Sequence, residues 1–560
     1  MNILGISYSS NHESAAALLQ EGRVVFAASE ERFSRLKHDP RFPFQAIERA
    51  LAHAGLAPTD IHQVAIGMGR PGSAGWHNAR MLLTGKMPSS FTRWERTALG
   101  LLHEVRAQWG YRDYRRRFGT PRGGVQFVDH HRAHALSASC LSGFAESAVL
   151  VIDGRGAREA TTLWHARGGE LRLLEQYDFP DSLGAFYAAV TEHLGFRPLS
   201  DEWKVMGLAA YGEPRADLSA LIEVREEGYR VQGRRLFGRD DLDKSGLAAI
   251  LGPPRRSDDA ILPAHRDLAR SAQDACERAM VALARRAAHL TGSRRLCLAG
   301  GVTLNCKANG EISRAGLFDD LYIQPAAGDD GVALGAAFDA HLATGRPLAG
   351  TLGHSYLGTE YSDEDIEPIL ATYKLPYRRV EDAAGAAAAL LAADQLVGWF
   401  QGRMEFGPRA LGGRSILADP RRVENRDRVN AAVKFREDWR PFAPSVLEER
   451  GSRYFRDFRP SPYMILSFWA TEEARREIPA VVHVDGSCRV QSVTPASNPL
   501  YYALLSAFER LTGVGACMNT SFNLKGDAIV ESPKDAIQTF YASGLDALVI
   551  GRFVVEKRPG

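Results

Sequence analysis

No stretch of about 18 consecutive apolar residues occurs in this chain, and the Ala-rich run from Ala383 to Ala393 is too short to cross a bilayer. A membrane role is therefore not expected. Cysteine is sparse: six residues (Cys140, Cys276, Cys297, Cys306, Cys488, Cys517) lie far apart with no Cys-x-x-Cys pair. That excludes a disulfide frame and a thiolate zinc site, and it fits reduced, buried thiols in a cytoplasmic protein. An excess of one charge is also missing. Sixty-nine basic against sixty-seven acidic side chains leave +2, so no global field points to nucleic acid or an anionic membrane. The chain opens on a strand-like run, Asn2-Ile-Leu-Gly-Ile-Ser-Tyr8, without the basic and apolar regions of a secretory leader.

At 560 residues the chain is too long for one core. An internal repeat gives the first architectural clue. Residues 2–28 read as strand, polar loop, small-residue strand, Glu21-Gly22 turn and strand, and residues 148–177 repeat the plan around Gly154, Gly156 and Gly168-Gly169. Alternating apolar runs joined by glycine turns predict antiparallel hairpins. Helical patterns follow at about 44–54, 184–194 and 264–290. Two such α/β halves facing a cleft fit an actin-like, sugar-kinase-like plan, an analogy of fold that by itself gives no function. Glycines and a proline punctuate 345–358, before the acidic helix start Ser362-Asp-Glu-Asp-Glu-Asp. The chain is thus expected to divide into domains 1–355 and 356–560.

The sharpest motif is Val128-Asp-His-His-Arg-Ala-His-Ala135. His130 and His134 stand i, i+4, so on a helix both imidazoles leave one face about 6 Å apart, a spacing suited to one metal ion. His131 points elsewhere and is a poorer ligand candidate. A polar helix start capped by Asp129 explains the same residues without metal. Asp329 and Asp330 precede a Gly/Ala-rich helix; either acid could cap it, or complete a site of two imidazoles and a carboxylate. Leu298-Ala-Gly-Gly-Val-Thr-Leu-Asn-Cys306 is a strand with a Gly-Gly turn whose backbone could approach a phosphate or ribose.

The C-terminal part differs in kind. Phe400 to Ser415 sets Arg403, Arg409 and Arg414 among four glycines and a proline, and Lys434 to Arg440 and Cys488 to Ser492 add further cations. Forked arginine donors on stiff loops suit phosphate oxyanions. Asn519-Thr-Ser-Phe-Asn523 offers amides and hydroxyls of the sort that hold a base or ribose. The stretch Tyr111 to Phe118, with four arginines, reads as the exposed face of a helix and is assigned no chemistry.

Together these segments resemble the NodU/TobZ-type carbamoyltransferases of nodulation and antibiotic biosynthesis. The match runs in order through Asn11 to Ala17, Ala28 to Ser34 with Lys37-His38, Val128 to His134, Lys204 to Gly212, Ala299 to Asn309, Gly328 to Gly335, Phe406 to Ser415, Arg440 to Pro444 and Asn519 to Asn523. The resemblance implies two α/β domains, an actin-like (duplicated RNase H-like) Kae1-like domain and a YrdC-like twisted sheet. It implies Fe²⁺ or another divalent transition metal on His130, His134 and Asp329, with Asp330 the neighbouring option. It makes His12 the base acting on the acceptor hydroxyl and Lys204 a second catalytic residue in the same cleft, and places Asp153, Gly300, Gly301 and Asn305 there around the adenylate. Arg409, Lys434, Arg440, Arg489 and Asn519 match positions holding carbamoyl phosphate and ATP with Mg²⁺. One departure is Glu13, where the family often has Asp.

The implied activity is O-carbamoyl transfer through carbamoyl-adenylate to a hydroxylated small molecule, in a cytoplasmic enzyme for which a homodimer is one permitted arrangement. The rival enzyme is a threonylcarbamoyl- or N-carbamoyl-type transferase acting on tRNA; near-neutral charge speaks against it. A non-catalytic nucleotide-binding scaffold and a sugar kinase are further alternatives. Neither needs both the arginine loops and the His-x-x-x-His motif.

Overall fold

The computed structural model describes residues 1–8, 13–68, 110–236, 245–437 and 439–557, so His12 lies outside the described residues. The chain forms two compact units, Met1–Glu30 with His38–Thr351 and Glu31–Lys37 with Leu352–Gly560. Dividing the chain at 355/356 misses the segment 31–37, which belongs with the C-terminal unit. Its attachment depends on contacts to distant carbonyls: Arg32 Nη2 donates to Gly407 O (2.7 Å), and Arg35 to Ala528 O (2.8 Å) and Ile529 O (2.5 Å).

The first unit is built twice on one plan. Strands β1 (Asn2–Ser7), β2 (Ala15–Gln20), β3 (Arg23–Ser29), β4 (Gln63–Ile66) and β5 (Val125–Phe127) form a sheet in the order β3-β2-β1-β4-β5. The first three pair antiparallel, and β4 and β5 continue parallel from β1. The second sheet uses β6 (Glu146–Ile152), β7 (Glu159–Arg167) and β8 (Glu170–Asp178) as its antiparallel hairpins. After a separate hairpin of β9 (Ile222–Arg225) and β10 (Gly228–Val231), strands β11 (Arg295–Ala299) and β12 (Asp320–Ile323) add parallel beside β6. The order β8-β7-β6-β11-β12 repeats that of the first sheet. The repeat in the sequence is therefore a repeat of topology, as the actin-like expectation requires. Central strands β1 and β6 are buried almost throughout, which explains why they read as apolar runs without alternation.

The helices of this unit include α1 (Phe44–Ala54), α2 (His130–Ser139), α3 (Leu183–His193), α4 (Pro263–Thr291), α5 (Cys306–Arg314) and α6 (Val332–Leu342). The first, third and fourth match the expected helical stretches. Gly335 brings α6 onto α2: a Cβ there would lie 1.7 Å from Ala133 O, so only glycine permits this backbone-to-backbone contact. The Gly/Ala richness of 328–337 is thus a packing requirement, and it holds the Asp329 turn beside the histidine helix.

The second unit is a mixed sheet with helices. Its strands are β13 (Arg378–Arg379), β14 (Val397–Phe400), β15 (Arg414–Ala418), β16 (Ala443–Leu447), β17 (Leu466–Trp469), β18 (Ser487–Val493), β19 (Ala516–Ser521), β20 (Ala547–Ile550) and β21 (Phe553–Glu556). They run in the order β13-β21-β20-β14-β15-β19-β16-β18-β17. Helix α7 (Asp363–Thr372) starts at a Ser362/Asp365 capping box, as the acidic start predicts. The Ala-rich run is α8 (Ala383–Ala392), which packs against α9 (Pro499–Thr512). No helix of the described residues is long and apolar enough to cross a membrane.

Candidate active site

In the first unit, Asp129 accepts from Arg132 N (2.9 Å) and caps α2, so the capping role is real. The same helix delivers a cluster. His130 Nε2 lies 3.2 Å from His134 Nε2, 3.4 Å from an Asp153 oxygen and 3.5 Å from an Asp329 oxygen; His134 Nε2 is 3.7 Å from that Asp329 oxygen. Donor atoms of all four residues lie within 4.8 Å of one another. Asp153 emerges from the end of β6 and is steadied by Gly301 N, which donates to its Oδ1 (3.1 Å). Asp329 sits in the turn before α6. Its neighbour Asp330 is engaged elsewhere, accepting from Ser29 Oγ (3.3 Å) and Gly331 N (3.1 Å).

The chemistry of this cluster asks for a cation. His130 Nδ1 stands 3.2 Å from Gly67 O; donation there leaves the Nε2 lone pair facing the cluster, the usual backing of a metal-bound imidazole. Burial opposes a charged His130, yet Asp329 and Asp153 raise its pKa well above the ordinary value. Burial likewise pushes Asp153 upward, but His130 and His134 reverse that and hold it well below the usual carboxylate range. Two carboxylates and two facing imidazole nitrogens fit one divalent ion of borderline hardness. His131 turns away: its Nδ1 pairs with Thr162 Oγ1 (2.9 Å), and burial lowers it to about 3, so it stays neutral.

Gly300 takes a φ of +92 with its Cα against Ile152, which makes the turn that presents Gly301 to Asp153. Asn305 caps α5 through Ala308 N (3.1 Å) and exchanges hydrogen bonds with Gln273 (3.0 Å each way), so its amide is spent on structure. Lys204 pairs with Asp201 (3.1 Å) and lies over the rings of Phe196 and Trp203. Glu13 pairs with His38 Nδ1 (2.6 Å). The arginines of 112–117 lie on a helix and all four are exposed, as read from the sequence.

In the second unit the cations converge. Lys434 closes a π-turn, buried, with its ammonium held by Ser521 and by Asn523 O (3.0 Å) and Oδ1 (2.8 Å). Burial first, then the charges of Arg436, Arg440 and Lys37, push its pKa well below the ordinary value. Burial and the neighbouring Arg440 and Arg489 do the same to Arg436, with Glu437 opposing. Arg489 shares a face of β18 with Gln491, and Gln491 Nε2 donates to Leu411 O (2.7 Å) on the loop that carries Arg409. Asn519 is buried: its Nδ2 reaches Ala410 O (3.1 Å), Ser445 Oγ (3.0 Å) and Gln491 Oε1 (3.0 Å). It supports the loop from below.

Two arginines of the 400–415 stretch are corrected. Arg414 is fully buried over Phe400 (3.7 Å), donating to the carbonyls of Gln401, Gly402, Gly413 and Thr359. Arg403 donates to Gly358 O (3.0 Å) and Leu357 O (2.6 Å). Both hold backbone. Arg436 and Lys37 lay in stretches noted from the sequence without a role of their own, and Asp153 was placed in the cleft but not as a fourth donor. For Asp153 the signal was an acid at the end of a central strand before a glycine loop; for Arg436, its place two residues after Lys434.

Two family models cover nearly the whole chain: Carbamoyltransferase N-terminus over residues 2–78 and 98–338, and Carbamoyltransferase C-terminus over 388–557. The chain belongs to the carbamoyltransferase family. Among curated relatives, nodulation protein NolNO of Sinorhizobium fredii is 38% identical, across 100% of this carbamoyltransferase and 81% of its own length. Nodulation protein NolO of Bradyrhizobium diazoefficiens is 41% identical over 77% of this chain and 79% of its own. A Synechocystis protein, sll1178, is 38% identical over 99% and 97%. Solved structures overlap more loosely: (R)-2-hydroxyglutaryl-CoA dehydratase component A of Acidaminococcus fermentans is 15% identical over 62% of this chain and 100% of its own, with a TM-score of 0.34. The cation cluster and the His/Asp cluster thus belong to a carbamoyltransferase enzyme.

Proposed function

We propose that this carbamoyltransferase is an ATP-dependent O-carbamoyltransferase working in two stages, one per unit. The observation that carries the reading is the gathering of cations around buried Lys434 and Arg436: burial first, then the charges of Arg440 and, for Arg436, Arg489, lower both, with Glu437 opposing at Arg436. Such crowding of buried cations is costly without an anion. In the second unit, proposed to have a YrdC-like fold, water splits carbamoyl phosphate to carbamate and phosphate. The carbamate oxygen then attacks the α-phosphate of Mg²⁺-bound ATP, giving carbamoyl-adenylate and pyrophosphate. Arg409, Arg440 and Arg489 supply forked donors to the phosphate oxygens, while Lys434, its donors already met by Ser521 and Asn523, contributes field.

In the first unit, His130, His134, Asp153 and Asp329 would hold a divalent transition metal, Fe²⁺ by family resemblance. When bound, it supplies positive charge that anchors and polarises an anionic nucleotide. The acceptor hydroxyl attacks the carbamoyl carbon, its proton passes to His12, and AMP leaves with the bonding pair. The acceptor is a hydroxylated small molecule. Mixing the protein with ATP and carbamoyl phosphate should release pyrophosphate only when both are present, and a panel of hydroxylated acceptors should gain one carbamoyl group by mass. Pyrophosphate release that ignores carbamoyl phosphate would overturn the reading.

A further inference from the structure

Beyond Arg409, the return arm of the loop spends its peptide groups on the protein itself. From Ala410 O to Gly413 O every peptide group is occupied from within the second unit. Ala410 O accepts from Asn519 Nδ2 (3.1 Å), and Leu411 O accepts from both Tyr356 OH and Gln491 Nε2 (2.7 Å each). Gly412 N donates to Ser415 Oγ (3.0 Å), and Gly412 O accepts from Trp399 Nε1 (2.8 Å). Gly413 O accepts from Gln401 N (2.9 Å) and from Arg414 (3.0 Å). A glycine-rich loop that cradles phosphate instead turns its free N–H groups toward the ligand. This arm contributes no such group, and what it does is hold in place the loop that carries Arg409.

One residue does most of the holding. The Glu405 carboxylate is 3% exposed, and its Oε1 alone accepts from Leu411 N (2.7 Å), Gly413 N (2.7 Å) and Arg414 N (3.2 Å). Three backbone donors gathered on one buried oxygen fix three peptide planes of the loop's return arm, and Ser415 Oγ holds the Gly412 N–H between them. A buried carboxylate is a costly way to do this unless its charge is met by several donors, as here. Moreover Glu405 lies outside reach of a ligand: its side chain is enclosed by the loop it organises.

We propose that Glu405 is a positioning residue for the anion site, acting through Arg409 on affinity for carbamoyl phosphate. This rests on the reading of the second unit as the carbamoyl-phosphate site. Pre-organising a charged side chain on a rigid loop raises affinity by removing the ordering cost at binding.

The test is a double-variant cycle, read by calorimetric titration of the full chain with carbamoyl phosphate. Glu405→Ala should weaken binding roughly tenfold, within the coupling range of residues in one network, and Glu405→Gln, which keeps an acceptor oxygen, should weaken it less. In the Arg409→Ala background, removing Glu405 should change affinity by less than about twofold, because the group it positions is gone. A purely structural role would weaken binding by the same factor in both backgrounds, and that additivity would overturn the proposal. If Glu405→Ala does not fold, the same cycle with Glu405→Gln decides the matter by the same criterion. Wild-type binding unaffected by either Glu405 variant would also overturn it. Absence of binding by the wild type would instead bring down the reading of the second unit, and Glu405 with it.

Discussion

The Nε2 atoms of His130 and His134 face each other across 3.2 Å, with one Asp329 oxygen 3.5 and 3.7 Å from them. Two such nitrogens and the Asp329 oxygen could share one cation, and it is Asp329, not Asp330, that faces them. Elemental analysis of purified protein should find one divalent transition metal. His130→Ala/His134→Ala and Asp329→Asn should lose it, and Asp153→Asn should bind it more weakly, roughly ten- to a hundredfold. Asp330→Asn, whose carboxylate serves Ser29 and Gly331, should retain it. Full metal in the double histidine variant would make these side chains structural.

Arg440→Ala should lower carbamoyl-phosphate-dependent pyrophosphate release by about 10²–10³-fold, the scale for removing one preorganised charge donor. Arg436→Ala should do the same, although the sequence alone gave it no role. Circular dichroism should show both variants folded. Normal release from a folded Arg440→Ala would remove this cluster from the chemistry.

His12→Asn separates the stages. As the acceptor base, its loss should slow carbamoyl transfer roughly 10²–10⁴-fold while adenylation survives. Pyrophosphate should still appear, and carbamoyl-adenylate should accumulate or hydrolyse. Equal loss of both activities would instead give His12 a structural role, and unchanged transfer would turn attention to Glu13, which pairs with His38.

Arg414 predicts a stability effect with no chemistry attached. Its buried guanidinium serves four carbonyls and the Phe400 ring, and burial lowers its pKa to about 10. Arg414→Ala should destabilise the second unit by about 3–5 kcal/mol in denaturant unfolding. Arg414→Lys should rescue little, because an ammonium cannot match the planar fork or stack on the ring. A loss under about 1 kcal/mol would show that the carbonyls find other partners.

What the sequence revealed and what it hid follow from the range of the interactions. The hairpins of β1–β3 and β6–β8 were legible because short apolar runs and glycine turns are local, and the i, i+4 histidines were legible for the same reason. Asp153 was expected in the cleft, yet its partnership with two histidines more than eighteen positions away has no local signature. Arg403, Arg409 and Arg414 look alike in sequence. Which of them meets carbonyls is decided by how Glu405 and Asn519 fold the loop, and that is a tertiary fact. Asn305 and Asn519 were read as ligand amides for the same reason, whereas each is occupied by neighbouring side chains.

The segment 31–37 has a consequence for how the protein can be made and cut. The ribosome delivers Arg32 and Arg35 early, hundreds of residues before the carbonyls of Gly407, Ala528 and Ile529 that they serve. Those guanidinium groups must wait through synthesis of the rest of the first unit, and the second unit closes only when its end arrives. No single cut in the chain can then free either unit whole. A fragment starting at 352 would lack its two arginines, and one ending at 351 would carry them with nothing to hold.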